Sequence, residues 1–318
     1  MLEQSPDVLK KFLSYMQVIG GKSQKTVEEY FLDLRTFFRY LKVKNNLVPP
    51  ETDFEKIDIK DVDLKLLENV DVLEIYEYLN YLVQERKNQA RARSRKISSL
   101  RTFFKYLTTK TSELEFNPMQ EIETPKHGKS MPKFLSLDQS KKLLETAKQY
   151  GGEYKERDVC ILTLFLNCGM RVSELVNIDL KDFGENNTLK LRGKGNKERI
   201  IYINGMCKAA IDNYRLKRPN DGLKDRNALF VSRQNKRISV KTVQFLVKKY
   251  LKLAGLENYG FSVHKLRHTA ATLMYQHSGV DIRILKEILG HENLGTTEIY
   301  THVSNNQIKE AMESNPLN

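Results

Sequence analysis

Cysteine is scarce in this sequence and forms no pattern. Cys160, Cys168 and Cys207 make neither a C-x-x-C pair nor an even framework, so neither a zinc ribbon nor a disulfide scaffold is indicated, and they read as small, partly buried hydrophobes in a reducing compartment. Long apolar runs are missing too. With no stretch of about 18 apolar residues, no membrane-spanning helix is expected, and the opening MLEQSPDVLKKF carries no signal-peptide core. A soluble, cytoplasmic protein is the expectation. Negative charge is in deficit: 40 Asp and Glu face 53 Lys and Arg, for a net charge of +13 and a pI near 9.4. The surplus points to a polyanion, because a phosphate backbone releases counterions when it meets such a surface. Nucleic acid leads, with an acidic membrane surface as the weaker reading.

At 318 residues the chain exceeds one ordinary domain. The stretch NPMQEIETPKHGKSMPK at 117–133 has three prolines and no helical stripe, so it reads as an extended linker. Domains 1–130, including the linker, and 131–318 follow from it. The first is helical in pattern and repeats itself: LRTFFRYL at 34–41 returns as LRTFFKYL at 100–107. Each octet places its leucines and phenylalanines at i, i+3, i+4 and i+7, one apolar stripe on a helix. The repeat is either a duplicated helical unit or two converged core helices. Thr26 and Glu29 resemble a capping box that starts the first of these helices near Ser23.

Charge in this half is segregated. Residues 51–85 hold 11 acids against 3 bases, and residues 86–110 hold 9 bases and no acid. In the basic block Arg91, Arg95 and Arg101 lie roughly opposite the Phe103/Phe104 stripe, so one face packs and the other is free for phosphates. Arg91, Arg93, Arg95, Lys96 and Arg101 are the DNA-binding candidates. The second half has helix signals at 136–149, 157–168 and 171–180 and again from about 208 and 239. Between them TLKLRGKGNKERIIYI reads as a strand pair around a turn at Gly193–Asn196.

Four segments of this half carry chemistry: CGMRVSELVNIDL at 168–180, LRGKGNKERIIYI at 191–203, HKLRHTAATLM at 264–274 and LGHENLGTTEIYTH at 289–302. Read alone, Arg171 beside Glu174 is a surface salt bridge, Lys194 an exposed hairpin lysine and each histidine a structural one. His264 and His268 lack the adjacent glutamate of a protease zinc motif, since Lys265 stands there, so no metal ligands are assigned. A phosphodiester cut needs a nucleophile, an acid for the leaving oxygen and positive charge for the phosphoryl oxygens. Arginine suits the last task, because a guanidinium stays charged and its planar fork matches phosphate.

In that order and spacing the segments resemble the tyrosine recombinases, most nearly those of Xer type and the phage and transposon integrases. The resemblance implies a mainly α fold: a helical, SAM-like core-binding domain plus a mostly helical DNA breaking-rejoining domain with a small antiparallel sheet, the two clamping DNA. It implies that Arg171 and Arg267 hold the non-bridging oxygens, with Glu174 keeping Arg171 or a neighbouring histidine in place. Lys194 would protonate the leaving 5′ oxygen, with Lys197 the neighbouring candidate, and His264 and His291 would serve the phosphate or the tyrosine proton. Tyr300 would be the nucleophile. His127, His268, His277 and His302 are kept as structural. No cofactor is expected. The partners implied are double-stranded recombination sites held by a homotetramer, or by a heterotetramer with a paralogue, for chromosome-dimer resolution or mobile-element integration and excision. In the tail, Ile308, Ala311 and Met312 form a stripe that would dock on a neighbouring protomer. The alternatives are a topoisomerase IB-like relaxing enzyme and a non-catalytic DNA-binding regulator. Asn167-Cys168 and Gly295 depart from the family pattern without touching the chemistry, and the acidic stretch 43–70 is longer than in compact Xer proteins.

Overall fold

In the computed structural model the described residues are 3, 5–124, 133–193, 197–278, 280–290 and 297. The chain divides into two compact units, Met1–Lys129 and Ser130–Asn318. The first contains α1 (Asp7–Val18), α2 (Gln24–Lys44), α3 (Leu64–Glu68), α4 (Val72–Gln84) and α5 (Ala90–Thr109). The second contains α6 (Leu137–Tyr150), α7 (Lys155–Cys168), α8 (Val172–Val176), β1 (Thr188–Arg192), β2 (Glu198–Tyr202), α9 (Gly205–Lys217), α10 (Val240–Leu253), α11 (Val263–Ser278) and α12 (Ile282–Leu289). Among the described residues no helix is long and apolar enough to cross a membrane.

The repeated octets lie in α2 and α5, and they pack on each other reciprocally. Phe37 meets Phe104 at 6.1 Å between ring centroids, and Phe38 meets Phe103 at 5.7 Å. Position four of one octet therefore touches position five of the other, and the reverse, as a local two-fold axis requires. The polar contacts obey the same rule: Tyr30 donates to Thr102, and Lys96, 66 residues beyond Tyr30, donates to Thr36, both at 3.4 Å. Asp33 and Ser99, also 66 apart, bond to each other at 2.8 Å and so sit on the axis.

The offset extends beyond the octets to a whole helical hairpin. Phe12 packs on Phe103 and Tyr106 as Tyr78 packs on Phe37 and Tyr40, and Tyr15 meets Tyr106 as Tyr81 meets Tyr40. Even the turns repeat. The amides of Ile19 and Gly20 bond to the Tyr15 carbonyl and that of Lys22 to Met16; those of Glu85 and Arg86 bond to Tyr81 and that of Asn88 to Leu82. Gly21 takes φ +57° in the first turn and Lys87 takes φ +49° in the second, where a lysine bears the left-handed strain that glycine avoids. Hairpins α1–α2 and α4–α5 are thus two copies of one unit, which favours the duplication reading. The N-cap of α2 is Ser23, where the sequence places the helix start, but the cap is the Ser23 hydroxyl accepting from the Thr26 amide at 3.3 Å rather than the Thr26–Glu29 pair.

The acidic stretch between the copies is tied down by two buried cations of α2. Arg39 reaches the Glu55 carboxylate and carbonyl and the Ile57 carbonyl, and Lys42 reaches Asp61 and the Asp58 carbonyl. The linker expected at 117–133 begins as part of this unit rather than as a free spacer. Met119 and Ile122 are buried in its core, and the Arg101 guanidinium holds the Ile122 carbonyl at 2.5 Å. Residues 125–132, with the expected boundary and His127, lie outside the described residues.

In the second unit α7 is charged in its first turn but apolar on nearly every side and largely buried from Val159 on, with α6, α9 and α11 packed around it. A helical stretch with no polar face belongs at the centre of a core. All three cysteines are buried, and the Cys168 and Cys207 sulfurs lie 3.7 Å apart where α7 meets α9. The antiparallel ladder runs from Thr188 opposite Tyr202 to Arg192 opposite Glu198. Leu189, Leu191 and Ile201 point into the core, and Arg199 shares the inward row of β2. The helix expected over 171–180 stops at Val176. Beyond it the backbone extends, and the Leu229 amide bonds to Ile178 while the Leu180 amide bonds to Asn227. Pairing with a distant segment has outweighed helical propensity there.

Candidate active site

α7 ends at Gly169, which adopts φ +57° and whose carbonyl accepts from Arg267 Nη1 at 2.7 Å. A β-carbon at Gly169 would lie 2.9 Å from Leu289 Cδ2, so glycine serves both the left-handed turn and the close approach of α12. The buried Met170 anchors the next residue. Arg171 then stands at the start of α8, where extended backbone turns its side chain out of the helix.

Glu174 has no exposed side-chain surface, and its oxygens are fully engaged. Oε1 accepts from Arg171 Nη1 at 2.8 Å and Arg199 Nη1 at 2.5 Å; Oε2 accepts from the Arg171 amide at 2.7 Å and Arg199 Nη2 at 2.9 Å. About four acceptor sites are all that a carboxylate has. Burial works to raise the Glu174 pKa, but the hydrogen bonds and charge of Arg199, then the amide and guanidinium of Arg171, leave it lowered. The carboxylate is ionised at neutral pH.

Three guanidinium groups close on the end of α12. Arg199 Nε donates to the Ile288 carbonyl at 3.3 Å, Arg267 Nη2 to Leu289 at 2.6 Å and Arg171 Nη2 to Gly290 at 2.8 Å. The last carbonyls of a helix have no partner inside it and carry its negative dipole end, so cations suit them. With one carboxylate among three guanidiniums, the cluster keeps two surplus positive charges. Arg267 is buried, whereas His264, one turn earlier on α11, is exposed. On the same helix, burial first and then Lys265, Arg267 and His264 push the His268 imidazole down to about 4, so it is neutral at pH 7.

The segments that this geometry joins all lie within one family match. Residues 133–307 match the phage integrase family. The chain belongs to that family. A tyrosine recombinase XerC of Caldanaerobacter subterraneus subsp. tengcongensis is 51% identical over 98% of this chain and 87% of its own length. A tyrosine recombinase XerC of Leptospira interrogans is 31% identical over 97% of this chain and 92% of its own length. Among solved structures, the XerH site-specific recombinase in a post-cleavage complex with its difH substrate superposes with a TM-score of 0.72. It is 22% identical, and the match covers 96% of this chain and 83% of that one. The chain is a site-specific tyrosine recombinase, an enzyme of DNA strand cleavage and rejoining.

Of the recombinase residues singled out from the sequence, Arg171 and Arg267 come together at the α12 end, and His264 lies on the same helix as Arg267. Lys194, His291 and Tyr300 lie outside the described residues, as do His302 and the tail stripe of Ile308, Ala311 and Met312. The described neighbours of Lys194 and His291 in sequence nevertheless reach the cluster. A β-carbon on Gly193 would lie 3.5 Å from Glu174 Oε1, and one on Gly290 would lie 3.0 Å from Arg199 Nη1. Arg199 was not singled out from the sequence. Its signal was a cation in the inward row of an otherwise apolar strand, with a lone Glu174 to be matched.

The basic block of α5 presents fewer free cations than its sequence suggests. Lys96 is turned inward, with its ammonium buried 3.1 Å from Asp33 Oδ1; burial lowers its pKa, partly offset by Asp33. An ammonium held there meets a carboxylate rather than a phosphate, so Lys96 leaves the set of DNA contacts. Arg95 pairs with Asp33 at 2.7 Å from an exposed position, Arg93 donates to the Asn88 carbonyl, Arg101 holds the chain at Ile122 and Thr124, and Arg91 is exposed.

Proposed function

We propose that the recombinase cuts double-stranded DNA at specific sites with Tyr300 as nucleophile, and that Arg171, Lys194, His264, Arg267 and His291 serve the reaction. The observation that supports this most is the convergence of Arg171 and Arg267 on consecutive carbonyls at the end of α12, immediately before His291. The phenolate oxygen of Tyr300 attacks phosphorus and the bond to the 5′ oxygen breaks. The leaving oxygen takes a proton from Lys194, and the tyrosine proton passes to His264. Arg171 and Arg267 bind the two non-bridging oxygens and His291 donates from the other side. A guanidinium has five N–H donors, so Arg171 can serve Glu174, Gly290 and a phosphate together. The product is a 3′-phosphotyrosine and a free 5′-hydroxyl. Bond energy is retained for resealing, so the scheme needs no ATP.

In this reading the first unit clamps DNA through the outer face of α5. Four protomers, identical or paired with a paralogue, hold two sites, each tail docking on a neighbour in a closed ring, and the protein works in the cytoplasm. Incubation with a nicked suicide substrate in excess EDTA, read on a denaturing gel, tests the chemistry. The wild type is expected to give a covalent adduct and Tyr300→Phe none. An adduct from the Phe variant removes Tyr300 from its role, and a dependence on added Mg²⁺ removes the arginines from theirs.

A further inference from the structure

Arg199 makes contacts that no role assigned so far requires. It lies on β2, past the Lys194 turn, yet it spends one face of its guanidinium on both oxygens of Glu174 and the remaining edge on the Ile288 carbonyl. Its side chain is 16% exposed and that of Glu174 is fully buried. Arg171, the other partner of Glu174, is 34% exposed and is the one of the two that faces outward. The carboxylate is therefore held from behind by Arg199 and holds Arg171 in front. Gly290 leaves room for this arrangement, since a β-carbon there would lie 3.1 to 3.2 Å from Arg199 Cδ and Cζ.

We propose that Arg199 is a positioning residue of the recombination site: it locks Glu174 so that Glu174 aims the Arg171 guanidinium, and it fixes the end of α12 ahead of His291. The inference rests on the recombinase reading above. Lysine cannot replace it in full, because a point charge cannot engage two carboxylate oxygens and a carbonyl in one plane. Arg199 has no need to touch DNA. Its loss acts on the rate of the chemical step through Arg171 and leaves the DNA-binding surface alone. A frame of this kind also links the strand that follows the Lys194 turn to the helix that precedes His291, so the two sides of the site move together.

The test uses the full chain, a suicide substrate and single-turnover conditions with protein in excess. Adduct formation gives the rate, filter binding gives the affinity, and Arg199→Lys, Arg199→Ala, Glu174→Gln and the Arg199→Ala/Glu174→Gln double variant are compared. The expected result is a rate about tenfold lower for Arg199→Lys and about 100-fold lower for Arg199→Ala, the range lost when a group that orients a reactive residue is removed. Affinity should stay within about twofold, and the double variant should be no slower than the slower single one, because both changes break one link. Arg199→Lys at the wild-type rate, a loss that falls on affinity instead, or single losses that multiply in the double variant each overturn the proposal. So does loss of cooperative thermal unfolding in Arg199→Lys, which makes Arg199 a residue of the fold alone. A wild type that forms no adduct overturns the recombinase reading itself and this proposal with it.

Discussion

Asp33→Ala should unsettle the first unit more than any exposed charge change, and in a pH-dependent way. The Asp33 side chain is 1% exposed and accepts from Arg95, Lys96 and Ser99. Arg95 is 45% exposed and can turn to water, but Lys96 is 10% exposed and cannot. Removing one partner of a buried pair costs about 3–5 kcal/mol, against about 1.5–3 kcal/mol for the hydrogen bond to a charged carboxylate lost in Ser99→Ala. A domain has only about 5–15 kcal/mol in hand. Burial already lowers the Lys96 pKa, and without Asp33 it falls further. Between that folded value and the ordinary lysine value of about 10.4, the unfolded chain binds more protons than the folded one. Stability therefore rises with pH across this window, and the full penalty stands below it. Urea unfolding followed by the NMR signals of the Phe37, Phe38, Phe103 and Phe104 rings, at about pH 7 and about pH 9.5, reads both effects. A deficit no larger than that of Ser99→Ala, or one unchanged between the two pH values, would refute the reasoning.

Replacing Arg91 and Arg93 with Ala should weaken binding to all DNA sequences and flatten its salt dependence by up to about 0.9 per lost phosphate contact; an unchanged slope makes α5 a merely solvated face. Gly169→Ala forces a side chain into the left-handed region and against Leu289, so a loss of at least about 1–2 kcal/mol is expected in thermal unfolding, with slower cleavage from the displaced α12. An unchanged melting temperature counts against the close approach described. His268, held down to about 4, is neutral in the fold and protonates more easily when unfolded. Its contribution is complete above about pH 6.5 and is lost as pH falls toward 4. His268→Gln should remove that acid slope, and an NMR titration showing an ordinary histidine midpoint would contradict the environment assigned.

Much of this was legible in advance, and the misses have physical reasons. The octets, the linker composition and the strand pair announce themselves through periodicity and turn residues. Arg171 and Arg267 were legible from their motifs, as was Glu174 beside Arg171, but their other partners were not, because Gly169, Leu289 and Gly290 contribute carbonyls, which every residue has. The same blindness hid Arg39 and Lys42, whose buried contacts with residues 55–61 explain how the acidic stretch is held. Lys96 misled because a run of cations reads as one solvated face; Asp33, 63 residues earlier, draws one of them inward. The hairpin repeat beyond the octets is faint in the sequence because 7–18 and 73–84 keep the character of their core positions, such as Leu9/Ile75, Phe12/Tyr78 and Met16/Leu82, but are identical only at Leu13/Leu79 and Tyr15/Tyr81.

The pair on the two-fold axis has a consequence for how such a domain can be built. A residue on an exact axis faces its own copy, so a symmetric pair of hairpins must place two aspartates together or two serines. Two buried carboxylates at hydrogen-bonding distance repel unless they share a proton, and two serines leave Lys96 without a counter-charge. Carrying both hairpins in one chain removes the dilemma, since one position can be Asp33 and its mate Ser99. The polar centre of this core is thus open to a covalently joined tandem and closed to a dimer of identical halves. Any shuffling of the copies that restores Asp to both axial sites, or Ser to both, should fail at that one point while the surrounding aromatic layers still fit.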